Sequence, residues 1–169
     1  MNRWWRTIAV GWMMIGFGIP AACKRQSPAE KDMITRLVGT WLWKQPQVAQ
    51  PTVVILELTS KGRYKETTYR EIRGQQKRLY VKRSTAEIVP EPEGAAEIAK
   101  LKKAGFEPAV ESGNYSVSPE KKIQTIVFES DKLTKVEKSQ GRGLIEQPVV
   151  VQTGDKVVIG GRLFERQPR

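Results

Sequence analysis

Residues Leu37 to Lys44 read LVGTWLWK, and this stretch limits the fold more than any other part of the chain. Trp41 and Trp43 share a parity, and because side chains alternate faces along a strand, both indoles point one way while Leu42 and Lys44 point the other. Two rings of this size on one face require a core to bury them. Gly39 suits a bend or a close backbone approach where the chain enters a sheet, and Asp32 to Val38 is long enough for a helical turn ahead of it. Thr52 to Thr59 (TVVILELT) is dense in β-branched residues, with Val54, Leu56 and Leu58 on one face. Arg63 to Ile72 and Gln76 to Thr85 predict two further strands, with Gly62 and Gly74 in the turns before and between them. Period two returns at Tyr115 and Val117, in a return strand from Ile123 to Phe128, and in a short strand from Lys132 to Lys138. At the end, QPVVVQT and KVVIGGRLFER flank Gly154-Asp155, a two-residue hairpin signal, and Gly160-Gly161 predicts a bulge within the last run. Eight to nine short strands at this spacing argue for a sandwich or a barrel.

One segment breaks the pattern. PEPEGAAEIAKLKKAGF carries Glu91, Glu93 and Glu97 early and Lys100, Lys102 and Lys103 late, which complements a helix dipole and predicts a short helix near residues 92–104. Ala95, Ile98, Leu101 and Ala104 form its narrow apolar stripe, suited to packing or to a lid over a barrel mouth. Residues 86–111 hold six Glu against three Lys, whereas Lys61 to Arg83 hold nine Lys or Arg against two Glu, so the acidic segment is expected to dock on the basic hairpin before it.

Four stretches, LVGTW at the start, LELTSKGRY, ESGNYSVS, and LFER at the end, give residues 34–169 a resemblance to the lipocalin-like domains of the calycin group. The resemblance implies a small antiparallel up-and-down β-barrel with the short helix as an insertion. It also implies that Gly39 and Trp41 lie at the closed end and that Arg166 from the last strand covers the indole, a cation on a π-face. Arg162 is the substitute if the register differs.

The first 22 residues have Arg3 and Arg6, an uncharged stretch from Thr7 to Ile19 too short to span a bilayer comfortably, and small residues before Cys23. This is the pattern of a secretory signal, and Cys23, the only cysteine, follows Ala21 and Ala22 in a way that resembles a bacterial lipobox. The resemblance implies cleavage before Cys23, attachment of lipid such as palmitate, a flexible tether over residues 23–33, and a periplasm-facing anchor in the outer membrane, since Lys24 follows the cysteine. A free or intermolecularly linked thiol is the alternative, and an internal disulfide is impossible.

Loss of residues 1–22 removes two Arg and no acid, so the net charge falls from +11 to +9. An envelope protein this basic is matched to anionic lipid headgroups or an acidic envelope partner, and its location disfavours nucleic acid. The chain contains no histidine, which removes the usual general base and the commonest metal ligand, so neither enzyme chemistry nor a metal or cofactor is expected. Two functions remain. One is a ligand-binding barrel for a small apolar or amphipathic molecule, lined by Trp43, Leu56, Tyr69, Tyr115 and Phe128. The other is an interaction protein whose basic hairpin docks an anionic partner through Arg70, Lys77, Arg78 and Lys82.

Overall fold

The computed structural model describes residues 26–118, 123–132 and 143–168. The signal-like segment, Cys23 and the strand expected after Lys132 lie outside the described residues.

The chain is mainly β. Helix α1 (Pro28–Leu37) leads into β1 (Gly39–Lys44), β2 (Thr52–Leu58), β3 (Arg63–Ile72), β4 (Gln75–Lys82), β5 (Glu87–Pro90), α2 (Ala95–Lys103) and β6 (Glu107–Pro108). Then follow β7 (Val110–Ser118), β8 (Thr125–Ser130), β9 (Leu144–Thr153), β10 (Lys156–Ile159) and β11 (Arg162–Arg166). Eight of these strands close an antiparallel barrel in the order β1-β2-β3-β7-β8-β9-β10-β11, and β11 pairs back onto β1 with Trp41 opposite Arg166. Apart from one insertion, every strand neighbours the next one in sequence, which is the up-and-down arrangement. Closure leaves no unpaired edge among the eight.

The core explains the register. Val54, Leu56 and Leu58 of β2, Tyr64 of β3, Tyr115 and Val117 of β7, Ile126 and Phe128 of β8, and Phe164 of β11 belong to one buried cluster inside the barrel. Slipping any of these strands by one residue would turn its apolar set to water. Complete burial of a side chain such as Leu56 or Ile126 contributes about 1.5–3 kcal/mol, and both are essentially without exposed surface.

Two expectations are corrected here. Residues 28–33 are not tether: α1 begins at Pro28, its first turn capped by Ser27 Oγ accepting from the Glu30 N–H at 3.2 Å. Met33, Ile34 and Leu37 enter the barrel cluster, so α1 plugs one end. The end of the chain is not one bulged strand. Gly160 and Gly161 have φ of 57° and 79° and form a two-residue turn between the paired residues Ile159 and Arg162. Two successive positive-φ glycines suit a tight hairpin whose twist matches the flanking strands, and the fold-back is what returns Arg166 to the level of Trp41.

The insertion lies between β3 and β7. β3 spans ten residues, longer than the barrel wall requires: Arg63–Thr67 pair with β7, whereas Tyr69–Ile72 pair with β4. β4 carries β5 on one side and short β6 on the other, a small sheet continuous with the barrel wall. The acidic segment docks here through Lys77–Glu93 (2.8 Å), Arg83–Glu107 (3.9 Å) and a Tyr80 hydroxyl donating to Glu91 at 3.4 Å. Helix α2 occupies Ala95–Lys103 and buries none of its residues.

Candidate functional site

One end of the barrel is solid. Trp41 is completely buried, its indole N–H donates to the Leu37 carbonyl at 2.7 Å, and the Arg166 guanidinium lies 4.3 Å over its ring. Arg166 donates from Nη1 to the Val38 carbonyl, from Nη2 to the Arg36 carbonyl and from Nε to the Gly154 carbonyl, each at 2.7 Å. It thereby ties the end of α1, the entry to β1 and the β9–β10 turn together. Gly39 is required beside it: a Cβ there would sit 2.6 Å from Arg166 Nη1, and φ is 151°. Tyr115 belongs to this end as well, its hydroxyl donating to the Thr59 carbonyl at 2.8 Å, and burial pushes its pKa up to about 12.

The opposite end is hollow. A cavity of about 230 Å³ opens there, with Leu56, Phe128, Ile159 and Phe164, all nearly inaccessible, at its depth. Ile145, half exposed, and the polar Gln147, Arg162, Glu66 and Glu111 lie toward its mouth. Tyr64 stands in the wall, its ring edge-on to Phe128 at 4.9 Å and packed over Gly113, where a Cβ would meet the ring at 2.8 Å. Burial, then the charges of Glu111 and Glu66, push the Tyr64 hydroxyl up to about 12.

Glu66 and Glu111 face each other directly across β3 and β7. Like charges in that position are destabilising, and neither side-chain carboxylate makes a hydrogen bond or ion pair with another described residue. Burial holds the Glu66 carboxyl above the usual range, Arg162 opposes this, and Glu111 adds to it. Arg162 itself is stacked at 4.8 Å on Trp43, which fixes the guanidinium at the mouth.

The expected lining residues are divided. Leu56 and Phe128 line the cavity. Trp43 points inward but packs partly against the core and serves as a platform for Arg162. Tyr115 is consumed at the closed end. Tyr69 is a correction: it pairs with Val53, and the residue after Val53, Val54, faces the core, so Tyr69 points to the outside of the barrel.

The four cations proposed for a docking surface also separate. Arg70 is opposite Lys77 on one face of the β3–β4 ribbon, and Arg78 is opposite Tyr69 on the other, with Lys82 sharing its parity. Lys77 is engaged by Glu93, and Lys82 lies 5.8 Å over Phe106. These four residues do not make one patch.

The sequence reading missed Glu66 and Glu111. Glu66 shares the parity of Tyr64 and sits opposite Leu56, so an acid on the apolar face of β3 was the available signal. Among the described residues, no group of three or more His, Cys, Asp or Glu is placed to hold a metal ion. Comparison of the chain with protein-family models, with curated proteins and with solved structures finds no match.

Proposed function

We propose that this chain is a lipid-anchored, lipocalin-like barrel of the bacterial envelope that holds a small apolar or amphipathic molecule in its open mouth. The observation that carries this reading is the asymmetry of the barrel interior. One end is filled by α1, Trp41 and Arg166, while the other keeps a cavity of about 230 Å³ with apolar depth and a charged rim. A barrel whose only task was structural would gain stability from filling that space, since unfilled cavity volume in a core costs roughly 24 cal/mol per Å³. Ligand pockets of drug size occupy roughly 300–1,000 Å³, so the occupant fits as a short chain or a small ring system.

The resemblance of the chain to lipocalin-like domains gains support from the Gly39, Trp41 and Arg166 arrangement at the closed end. Anchoring rests on the sequence around Cys23. Radiolabelled palmitate fed to cells expressing the full chain is expected to enter the protein, and Cys23→Ser is expected to abolish that labelling. Labelling that persists in the variant overturns the anchor. For the barrel, native mass spectrometry of the chain from residue 24 onward is expected to show a copurifying small molecule, or added decanol to bind with one-to-one stoichiometry. Failure of both overturns the carrier reading.

A docking role for the basic hairpin is the weaker reading, because its four candidate residues point to two faces and two of them are already engaged.

A further inference from the structure

The barrel cavity has a neighbour. A second hollow of about 210 Å³ lies on the inserted sheet, lined by Thr68, Leu79, Val81 and Ile88 among others, and it too is bounded by Glu66 and Glu111. The two hollows therefore share the acid pair in their linings. Strand geometry puts the side chains of both on one continuous face. Arg70 and Lys77 are directly paired, so Leu79 and Val81 of β4 fall on the same face as Glu66 and Thr68 of β3, and Ile88 of β5 is opposite Val81. The face that lines the barrel interior runs out through the mouth onto the insertion. Leu79 is buried there, and Ile88 is half exposed.

Charge divides this surface into three zones. The barrel hollow has Arg162 at its edge, the outer hollow has Arg83 and Lys132, and both acids belong to the two linings in common. In a chain of net charge +11, a directly opposed carboxylate pair between two apolar hollows complements a cation. A protonated nitrogen donating to both carboxylates would relieve their repulsion and supply the hydrogen bonds that neither has from the described residues.

We propose that the barrel mouth and the inserted sheet form a single site for a cationic amphiphile, an alkyl amine whose nitrogen rests between Glu66 and Glu111. One apolar arm of the ligand enters the barrel toward Phe128, and a second arm lies on Leu79, Val81 and Ile88. The insertion is thus half of the binding site. This rests on the carrier reading above and adds to it the charge and the two-armed shape of the ligand.

The test is calorimetric titration of the chain from residue 24 onward with decylamine, decanoate, decanol and N-butyldecylamine at neutral pH. Decylamine is expected to bind at least about tenfold more tightly than decanoate. Glu66→Gln with Glu111→Gln is expected to erase that preference while decanol binding persists, which also shows that the variant is folded. Val81→Asp is expected to weaken N-butyldecylamine and to leave decanol unchanged. Equal affinity for decylamine and decanoate, or a preference that survives the double Gln variant, overturns the cationic site and leaves the carrier reading standing. Loss of decanol and N-butyldecylamine together in Val81→Asp overturns the two-armed assignment. Binding of none of the four probes overturns the carrier reading and this inference with it.

Discussion

Replacing Arg166 with Ala should lower stability by an amount that the geometry bounds. The side chain donates to three carbonyls at 2.7 Å and lies 4.3 Å over Trp41. A hydrogen bond from a charged donor contributes about 1.5–3 kcal/mol, but three full contributions would overstate the loss. The carbonyls of Arg36 and Gly154 belong to exposed residues, where water takes over as donor. The Val38 carbonyl lies in a part-buried contact and is left unpaired, and the indole loses its cation, worth about 1 kcal/mol. The net expectation is a loss of about 2–4 kcal/mol. At roughly 3 °C per kcal/mol for a chain of this size, the midpoint falls by about 6–12 °C. Circular dichroism melts and urea titrations of the chain from residue 24 onward measure this directly. Arg166→Lys is expected to recover only a minor part, because an ammonium on a flexible stem cannot reproduce a planar fork that reaches three separate carbonyls. Trp41→Phe keeps a ring but loses the bond to Leu37, and the double variant with Arg166→Ala should be less destabilised than the sum of the singles, since the two groups share one contact. An unchanged midpoint for Arg166→Ala, full recovery by Lys, or strict additivity refutes the reasoning.

Gly113→Ala is expected to be among the most damaging small substitutions, at about 3 kcal/mol or more, since its Cβ would lie 2.0 Å from the Glu129 carbonyl oxygen and 2.8 Å from the Tyr64 ring. Gly154→Ala, with open space around it, should change a urea midpoint by no more than about 0.5 kcal/mol equivalent and serves as its control. Leu37→Ala should cost about 2–5 kcal/mol because Leu37 is wholly buried, and a melt indistinguishable from the parent would restore α1 to the status of tether. Glu66→Gln should be stabilising at neutral pH. The folded Glu66 carboxyl titrates above its unfolded counterpart, so the native state holds its proton more tightly and ionisation costs stability as pH rises from the unfolded value through the folded one. The advantage of the variant, read from paired urea titrations, should shrink as pH falls through the carboxylate range; an advantage that grows on acidification contradicts the assigned direction.

Much of this architecture was legible in the amino-acid sequence because strand formation is local. β-branched runs, period-two alternation and glycine turns marked Thr52–Leu58, Arg63–Ile72 and the Gly154-Asp155 hairpin without reference to any distant residue. The acid-then-base order predicted a helix near residues 92–104 for the same reason, and the helix found there spans Ala95–Lys103. Parity likewise put Val54, Leu56 and Leu58 on one face of their strand, and all three share one buried cluster. Where local pattern was ambiguous, the reading slipped: Lys156–Arg166 has a strand-like composition on both sides of Gly160-Gly161, and nothing nearby distinguishes a bulge from a hairpin.

Tertiary structure alone decided the rest. Alternation states which side chains share a face, but not which face becomes the inside; that depends on partners such as Val54 and Thr68, which put Tyr69 outside and Glu66 at the mouth. That β3 would serve two neighbours, β7 along its first half and β4 along its second, follows from its length relative to a closed barrel, a property of the whole ring. Closure through Trp41 and Arg166 joins residues more than a hundred positions apart, and only when the ring is shut does one end fill while the other stays open. The chain encodes its strands in neighbouring residues, whereas its cavity is the space those strands fail to fill once they have met.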